Sequence, residues 1–273
     1  MKRKTFFSSL FALLCAGMIF SSCEPLEPST YTESFFRIAS VRYKDGKASL
    51  LIDYTGETYY FSNFSTQADM NRFNLKDGDR VIAGMTVSAV GNITNNKLTL
   101  DEVSKFPKIA IAESRPSDTL NYKYQFDVLN IINIQYPKIW SQGHLVNMAP
   151  VYEVSSQGKN ANFHLYPMGA SNDTLIMKLF ADIPDTVSSQ NIYYEQKLLC
   201  YDISTMRNPV SDLKENAYRD SLLNLLAGKD SITVQIFAAD TLRQIWNTAN
   251  GIKERKYFPI PRAAVSVSIP FDF

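Results

Sequence analysis

Few residues in this chain can attack a substrate, hold a metal or move a proton at neutral pH, and their spacing limits what chemistry is available. Three cysteines and two histidines are spread over 273 residues. No second histidine or cysteine falls at ligand spacing from His144 or His164. His-Glu-x-x-His, Cys-x-x-Cys, Gly-x-Ser-x-Gly and glycine-rich phosphate loops are all missing from the sequence. The histidines therefore read as strand or loop residues, and neither a metal nor a cofactor is expected. Asp77 and Asp79 straddle Gly78 and carry the oxygen ligands calcium takes, but a polar hairpin turn explains the same residues. Glycoside hydrolysis asks only for two carboxylates across a cleft, and Asp101, Glu102, Glu153 and Glu195 are available without diagnostic spacing. Catalysis is thus not the expectation.

Cys23 has a clearer chemistry. Lys2-Arg3-Lys4 opens an apolar run that ends at Phe20, and Ser21-Ser22-Cys23 follows. The run is long enough to engage export machinery but too short to span a membrane stably. This pattern predicts a lipoprotein signal peptide over residues 1–22, cleaved so that Cys23 carries lipid. Residues 23–34 then form a tether, since Glu24-Pro25-Leu26-Glu27-Pro28 suits neither a helix nor a central strand. The expected location is the outer membrane of a Gram-negative bacterium, at its periplasmic face or the cell surface. Cys15 leaves with the signal. Cys200 remains as a thiol among Leu198, Leu199 and Tyr201 and is expected in the core. Formal charge is +1, and loss of Lys2, Arg3 and Lys4 leaves about −2, which argues against a nucleic-acid partner.

A third chemistry is modification. The triplet Asp, Ser or Thr, apolar occurs at Asp118-Thr119-Leu120, Asp173-Thr174-Leu175, Asp185-Thr186-Val187, Asp220-Ser221-Leu222, Asp230-Ser231-Ile232 and Asp240-Thr241-Leu242. It looks like the acceptor motif of a bacterial O-glycosylation system. Thr119, Thr174, Thr186 and Thr241 are the candidate acceptors, with Thr119 favoured by its place in a linker. An aspartate turn feeding a β-branched strand would give the same triplet.

The elements that must position these residues are mostly short strands broken by turn signals. Phe35 to Tyr43, a turn at Lys44-Asp45-Gly46-Lys47, and Ala48 to Tyr54 make a hairpin. Thr58 to Phe61, a short helix within Thr66 to Phe73, a turn at Lys76 to Arg80, then Val81 to Val90 and Lys97 to Val103 follow. Five strands with a helix between the third and fourth outline an OB-like β-barrel domain at 35–107. Tyr59, Tyr60 and Phe64, in the cluster that includes Phe61, are candidate ligand-binding residues for carbohydrate or peptide, although core packing also explains such clusters. Residues 108–123 read as a linker. From 124 to 273 the recurrent strands suit a β-sandwich, with a helix near 212–227 in which Leu222, Leu225 and Leu226 line one side and Gly228 stops it.

Leu75-Lys76-Asp77-Gly78-Asp79-Arg80-Val81 in the first domain, and Asp127 to Ile134 with Pro137-Lys138-Ile139-Trp140 in the second, resemble the NigD-like lipoproteins. The resemblance implies an all-β envelope lipoprotein with an N-terminal OB domain and a C-terminal β-sandwich, and an association with bacteriocin immunity. It brings no catalytic residues. The leading expectation is a non-enzymatic, lipid-anchored envelope protein with an unknown protein or glycan ligand. The alternatives are a carbohydrate-binding accessory or glycosidase of the outer membrane, and a structural subunit of an outer-membrane assembly that uses Lys253-Glu254-Arg255-Lys256.

Overall fold

The computed structural model describes residues 30–90, 97–116, 126–127, 139–154, 160–182, 193–207, 214–238, 241–247, 254–260 and 265–271. Within them the chain is all-β with two short helices and several sheets.

Strand β1 (Thr30–Lys44) turns back into β2 (Lys47–Ile52) through Asp45 at φ 52° and Gly46 at φ 76°. Two successive positive φ angles make the tight turn whose twist matches a hairpin, and Asp-Gly tolerates them. Lys44 consequently faces Lys47, and Arg42 faces Ser49. Strands β3 (Thr58–Tyr59), β4 (Arg80–Val90) and β5 (Lys97–Phe106) complete a sheet of order β3-β2-β1-β4-β5. Helix α1 (Gln67–Arg72) lies between β3 and β4 and starts with a capping box. Thr66 accepts from the Asp69 N–H, while Asp69 accepts from the N–H groups of Ser65 and Thr66.

Side chains alternate across β1, so one set faces inward and the other outward. Ala39 and Val41 join Ala48, Leu50, Ile52, Phe61, Phe64, Met70, Leu75, Val81, Ala83, Met85 and Leu100 in one apolar cluster. Ser34, Phe36, Ile38, Ser40, Arg42 and Lys44 belong to the opposite face.

The expected OB-like barrel is not formed. A barrel needs its edge strands to pair, and here β3 and β5 lie at opposite ends of the sheet with no ladder between them among the described residues. The reason is local: β3 starts at Thr58 as expected but stops pairing after Tyr59, and the chain bends at Ser62 and Asn63. Only single bonds reach across. The Ser62 N–H donates to the Leu98 carbonyl, and the Asn63 side chain bridges the N–H and carbonyl of Leu100.

Pro107 separates β5 from β6 (Lys108–Ala110), which already belongs to another sheet. The stretch expected as a linker thus begins with a strand. Strand β6 runs parallel to β14 (Leu199–Asp202), which pairs with β9 (Leu145–Met148) and, through it, the hairpin partner β8 (Ile139–Gln142). A second four-stranded sheet orders β11 (Asn162–Ser171), β12 (Thr174–Asp182), β15 (Ser231–Ala238) and β18 (Val265–Pro270). Val146, Met148, Leu199 and Tyr201 from the first of these sheets share one apolar cluster with Phe163, Leu165, Met177, Val234 and Ile269 from the second. Strands β7 (Phe126–Asp127), β10 (Val151–Val154) and β13 (Tyr193–Gln196) form a small three-stranded sheet, and β16 (Thr241–Asn247) pairs with β17 (Glu254–Ile260).

Helix α2 (Lys214–Leu225) precedes the parallel strand β15 and packs on β11 and on the 3-10 helix Ile203–Arg207. Its buried side differs from the apolar stripe expected. Arg219, Leu222 and Leu226 are buried and Leu223 is partly so, while Leu225 is 62 % exposed. Spacing of three and four residues fits this set, in which Arg219 is buried whole, at 1 % exposure. Gly228 follows at φ 79°, where glycine is favoured.

Candidate functional site

The centre of the outward face of the first sheet is covered by the second body. Ser40, on β1, sits opposite Arg80, the first residue of β4. Arg80 and Asp53 are fully buried and meet through both carboxylate oxygens. Nη1 of Arg80 donates to Asp53 Oδ1 at 2.7 Å and to Ser40 Oγ at 2.8 Å, and Nη2 donates to Asp53 Oδ2. The second body closes the set: Trp140 Nε1 donates to Asp53 Oδ2 at 2.7 Å, and Asn147 Oδ1 accepts from Arg80 Nη2 at 3.0 Å. The Arg80 guanidinium also lies 5.3 Å from the centre of the Phe106 ring. Burial opposes the Arg80 charge, but the hydrogen bond and charge of Asp53 outweigh it and hold its pKa above the ordinary value. Cys200 lies against Arg80, and burial pushes its thiol up to about 11. A buried, protonated thiol is a poor nucleophile, so the expectation that Cys200 packs in the core agrees with its complete burial.

On either side of this covered centre the outward face is open. At the β1 start and the β4–β5 bulge, a cleft of about 340 Å³ is lined by Ser34, Phe36, Gly84, Asp101 and Glu102. Phe36 is 56 % exposed and leans on Gly84, where a Cβ would stand 2.9 Å from its ring and 2.7 Å from Glu102 Cγ. Thr86 Oγ1 donates to Asp101 Oδ2 at 2.6 Å. Asp101 and Glu102 are neighbours on one strand, so this cleft does not set two carboxylates across from each other.

At the other end lies a cleft of about 470 Å³, within the range of small-ligand sites of about 300–1,000 Å³. Arg42, Lys44, Thr58 and Tyr60 stand at its exposed rim, with Ser49 and Leu51 more deeply set. Tyr60 is 65 % exposed. Asp77 lines the cleft too, but its Oδ1 accepts from the Tyr43 N–H at 2.9 Å. Among the described residues neither Arg42 nor Lys44 forms an ion pair. The cleft therefore presents two cations against one carboxylate, with hydroxyls and an aromatic face.

The three aromatic candidates are dispersed rather than gathered. Phe64 is wholly buried, edge-on to Phe61 and Phe73. Tyr59 is half-buried against the same core, and its pKa is raised by burial first and by the charge of Glu57 second. Only Tyr60 reaches the cleft. Arg42 and Lys44, which sequence reasoning missed, were detectable as an alternate pair on one face of a strand ending in a clear turn.

The aspartates expected in a turn or at calcium are committed to the backbone: besides Asp77, Asp79 Oδ2 accepts from the Lys76 N–H at 2.9 Å. No cluster of three metal-binding side chains occurs among the described residues. Cys23, Thr119 and Thr186 lie outside the described residues. Thr174 is half-buried at the start of β12, its hydroxyl donating to Asp173 Oδ1 at 3.3 Å, after a turn with Asn172 at φ 57°. Thr241 is the first residue of β16. His144 Nε2 lies 3.4 Å from Asp202 Oδ1 at the surface.

No protein-family model matches the chain, and no curated protein matches it. It is similar in structure to a protein described as toxin-related from Parabacteroides distasonis, at 11 % identity and TM-score 0.47, covering 88 % of this chain and 93 % of that one. A protein described as a lipoprotein from Bacteroides fragilis gives 12 % identity and 0.48, over 88 % and 98 % of the two chains. A NigD-like immunity protein from Bacteroides caccae gives 13 % and 0.39, over 86 % and 90 %. These likenesses are remote, do not single out the NigD-like family, and decide nothing about this chain's activity.

Proposed function

We propose that this chain is a non-enzymatic, lipid-anchored envelope protein that binds a ligand at the cleft formed by Arg42, Lys44, Thr58 and Tyr60. The observation that carries the reading is the exposed Tyr60 beside two cations that form no ion pair among the described residues and outnumber Asp77 in the lining. An aromatic face and charges left open to water suit recognition. An immunity-type role, occluding a toxin or its target, is one form of this reading. The glycosidase alternative has no such support, since Asp101 and Glu102 sit side by side and Glu195 is half-buried on a separate sheet.

Two measurements test the parts separately. Metabolic labelling with an alkyne fatty acid should mark the chain and partition it into detergent, and Cys23→Ser should abolish both; an unlabelled native chain removes the anchor. Full-length chain in detergent should retain an envelope glycan or protein fraction, and Tyr60→Ala should release it. Retention unchanged by Tyr60→Ala would move the site elsewhere. The same export route would carry the chain past a glycosylating system, so at least one of Thr119, Thr174, Thr186 and Thr241 should bear glycan. Intact-mass measurement of native protein checks this, and a mass of polypeptide plus lipid alone excludes it.

A further inference from the structure

We infer that the ligand of the Arg42–Lys44–Tyr60 cleft is an acidic saccharide, one whose sugar ring stacks on Tyr60 and whose carboxylate meets Arg42 and Lys44. The inference rests on the cleft reading above and adds the class of ligand. Arg42 and Lys44 are two residues apart on β1, so both project from the outward face of the sheet. Arg42 stands opposite Ser49 across the β1–β2 ladder, which places a hydroxyl beside the guanidinium. Thr58 supplies a second hydroxyl on the far side, next to Tyr60.

Each part of this set answers a part of a uronic-acid ring. The planar guanidinium can take a carboxylate through two parallel hydrogen bonds, and the lysine ammonium adds a second positive charge without fixing direction. The C–H face of a pyranose packs on an exposed aromatic ring such as that of Tyr60. Hydroxyls of Ser49 and Thr58 can both donate and accept, which matches the hydroxyls of a sugar better than the amide edge of a peptide. Asp77, the carboxylate of the lining, accepts from the Tyr43 N–H, and Arg42 and Lys44 outnumber it, so the cleft carries an excess of positive charge. A neutral glycan would leave both cations unused, and an acidic peptide would leave the Tyr60 face without a matching ring.

The test compares a galacturonic-acid trisaccharide with its fully methyl-esterified form, titrated calorimetrically into the full-length chain in detergent micelles. Esterification keeps the rings and hydroxyls and removes the charge. The acid should bind at least tenfold more tightly than the ester, and the difference should shrink as salt is raised. Arg42→Gln with Lys44→Gln should weaken the acid at least tenfold and leave the ester unchanged. Tyr60→Ala should weaken both. Equal binding of acid and ester overturns the acidic assignment while the cleft reading stands. Binding of polyglutamate, lost in the Arg42→Gln/Lys44→Gln variant, with neither sugar bound, overturns the saccharide assignment and keeps the cleft. If neither sugar binds and Tyr60→Ala leaves envelope retention unchanged, both readings fall together. Both variants change exposed side chains, and an unaltered thermal melt will show that each is folded.

Discussion

Asp53 is the residue on which most of the molecule's polar interior depends. Its carboxylate accepts from Arg80 and from Trp140, which come from different sheets, and none of the three can turn to water. Removing one partner of such a pair leaves an uncompensated buried charge, which costs about 3–5 kcal/mol. Asp53→Asn should therefore lower unfolding free energy by about that amount in urea titration. Adding Arg80→Met should recover part of the loss, because an apolar pair of similar volume no longer needs desolvated charges. A double variant less stable than Asp53→Asn alone would show that Arg80 keeps other work, such as its contacts to Ser40, Asn147 and Phe106. Cys200 offers a second check at this scale. With its pKa pushed up to about 11 by burial, the thiol stays protonated through neutral pH, and its atoms are shielded as well. Iodoacetamide at pH 8 should leave it unmodified in the native protein and label it once urea unfolds the chain. Rapid labelling of the native protein would mean that the Arg80 environment opens to solvent.

Among the elements, helix α1 shows how much a local signal can specify. Thr66 and Asp69 exchange hydrogen bonds around the first turn, and the Ser65 N–H, the Thr66 side chain and the Thr66 N–H together hold the Asp69 pKa below its ordinary value of 3.8. A lowered folded pKa stabilises the element above the ordinary value, and that contribution is lost as pH falls through it towards the lowered one. Amide exchange at Ser65 and Thr66 should therefore accelerate relative to the sheet below about pH 4, and Asp69→Asn should show the faster relative exchange already at pH 6. An unchanged relative rate in the variant would mean that the carboxylate does not hold the turn. Signals of this range were legible: the Asp45-Gly46 turn, the helix between the third and fourth strands, and Gly228 beyond α2 all follow from a few adjacent residues. What was not legible depended on distant pairing. Whether β3 meets β5 is decided by where the chain leaves the ladder after Tyr59, and a list of strands in order does not contain it. Likewise an apolar stripe ranked Leu225 above Arg219, because periodicity records residue type and not which residues the fold buries. The cleft was half visible, since Tyr60 stood among aromatics while Lys44 read only as part of a turn and Arg42 only as part of a strand.

At the scale of the whole molecule, the two segments Lys76 to Val81 and Pro137 to Trp140 acquire a shared meaning, because Arg80 of one and Trp140 of the other meet at Asp53. The first sheet has its own apolar cluster, and the two four-stranded sheets have another. Separate cores could unfold separately. A polar set joins them: Asp53 and Arg80 from the first body, Trp140 and Asn147 from the second. If the bodies parted, water would reach the Asp53–Arg80 pair, so parting costs the bridging bonds rather than a stranded charge. Hydrogen bonds to charged groups contribute about 1.5–3 kcal/mol each, enough to make the two cores lose structure together. Trp246→Phe leaves Trp140 as the remaining indole, since the chain has two tryptophans, and makes its fluorescence a reporter of the junction. Urea unfolding followed by that fluorescence and by far-ultraviolet circular dichroism should coincide in this background. Adding Asn147→Leu and Asp53→Asn should move the fluorescence midpoint to lower urea than the dichroism midpoint, splitting one transition into two. Coincident midpoints in the triple variant would show that apolar contact between the bodies, and not the buried polar set, keeps the Tyr60 cleft at a fixed distance from the rest of the protein.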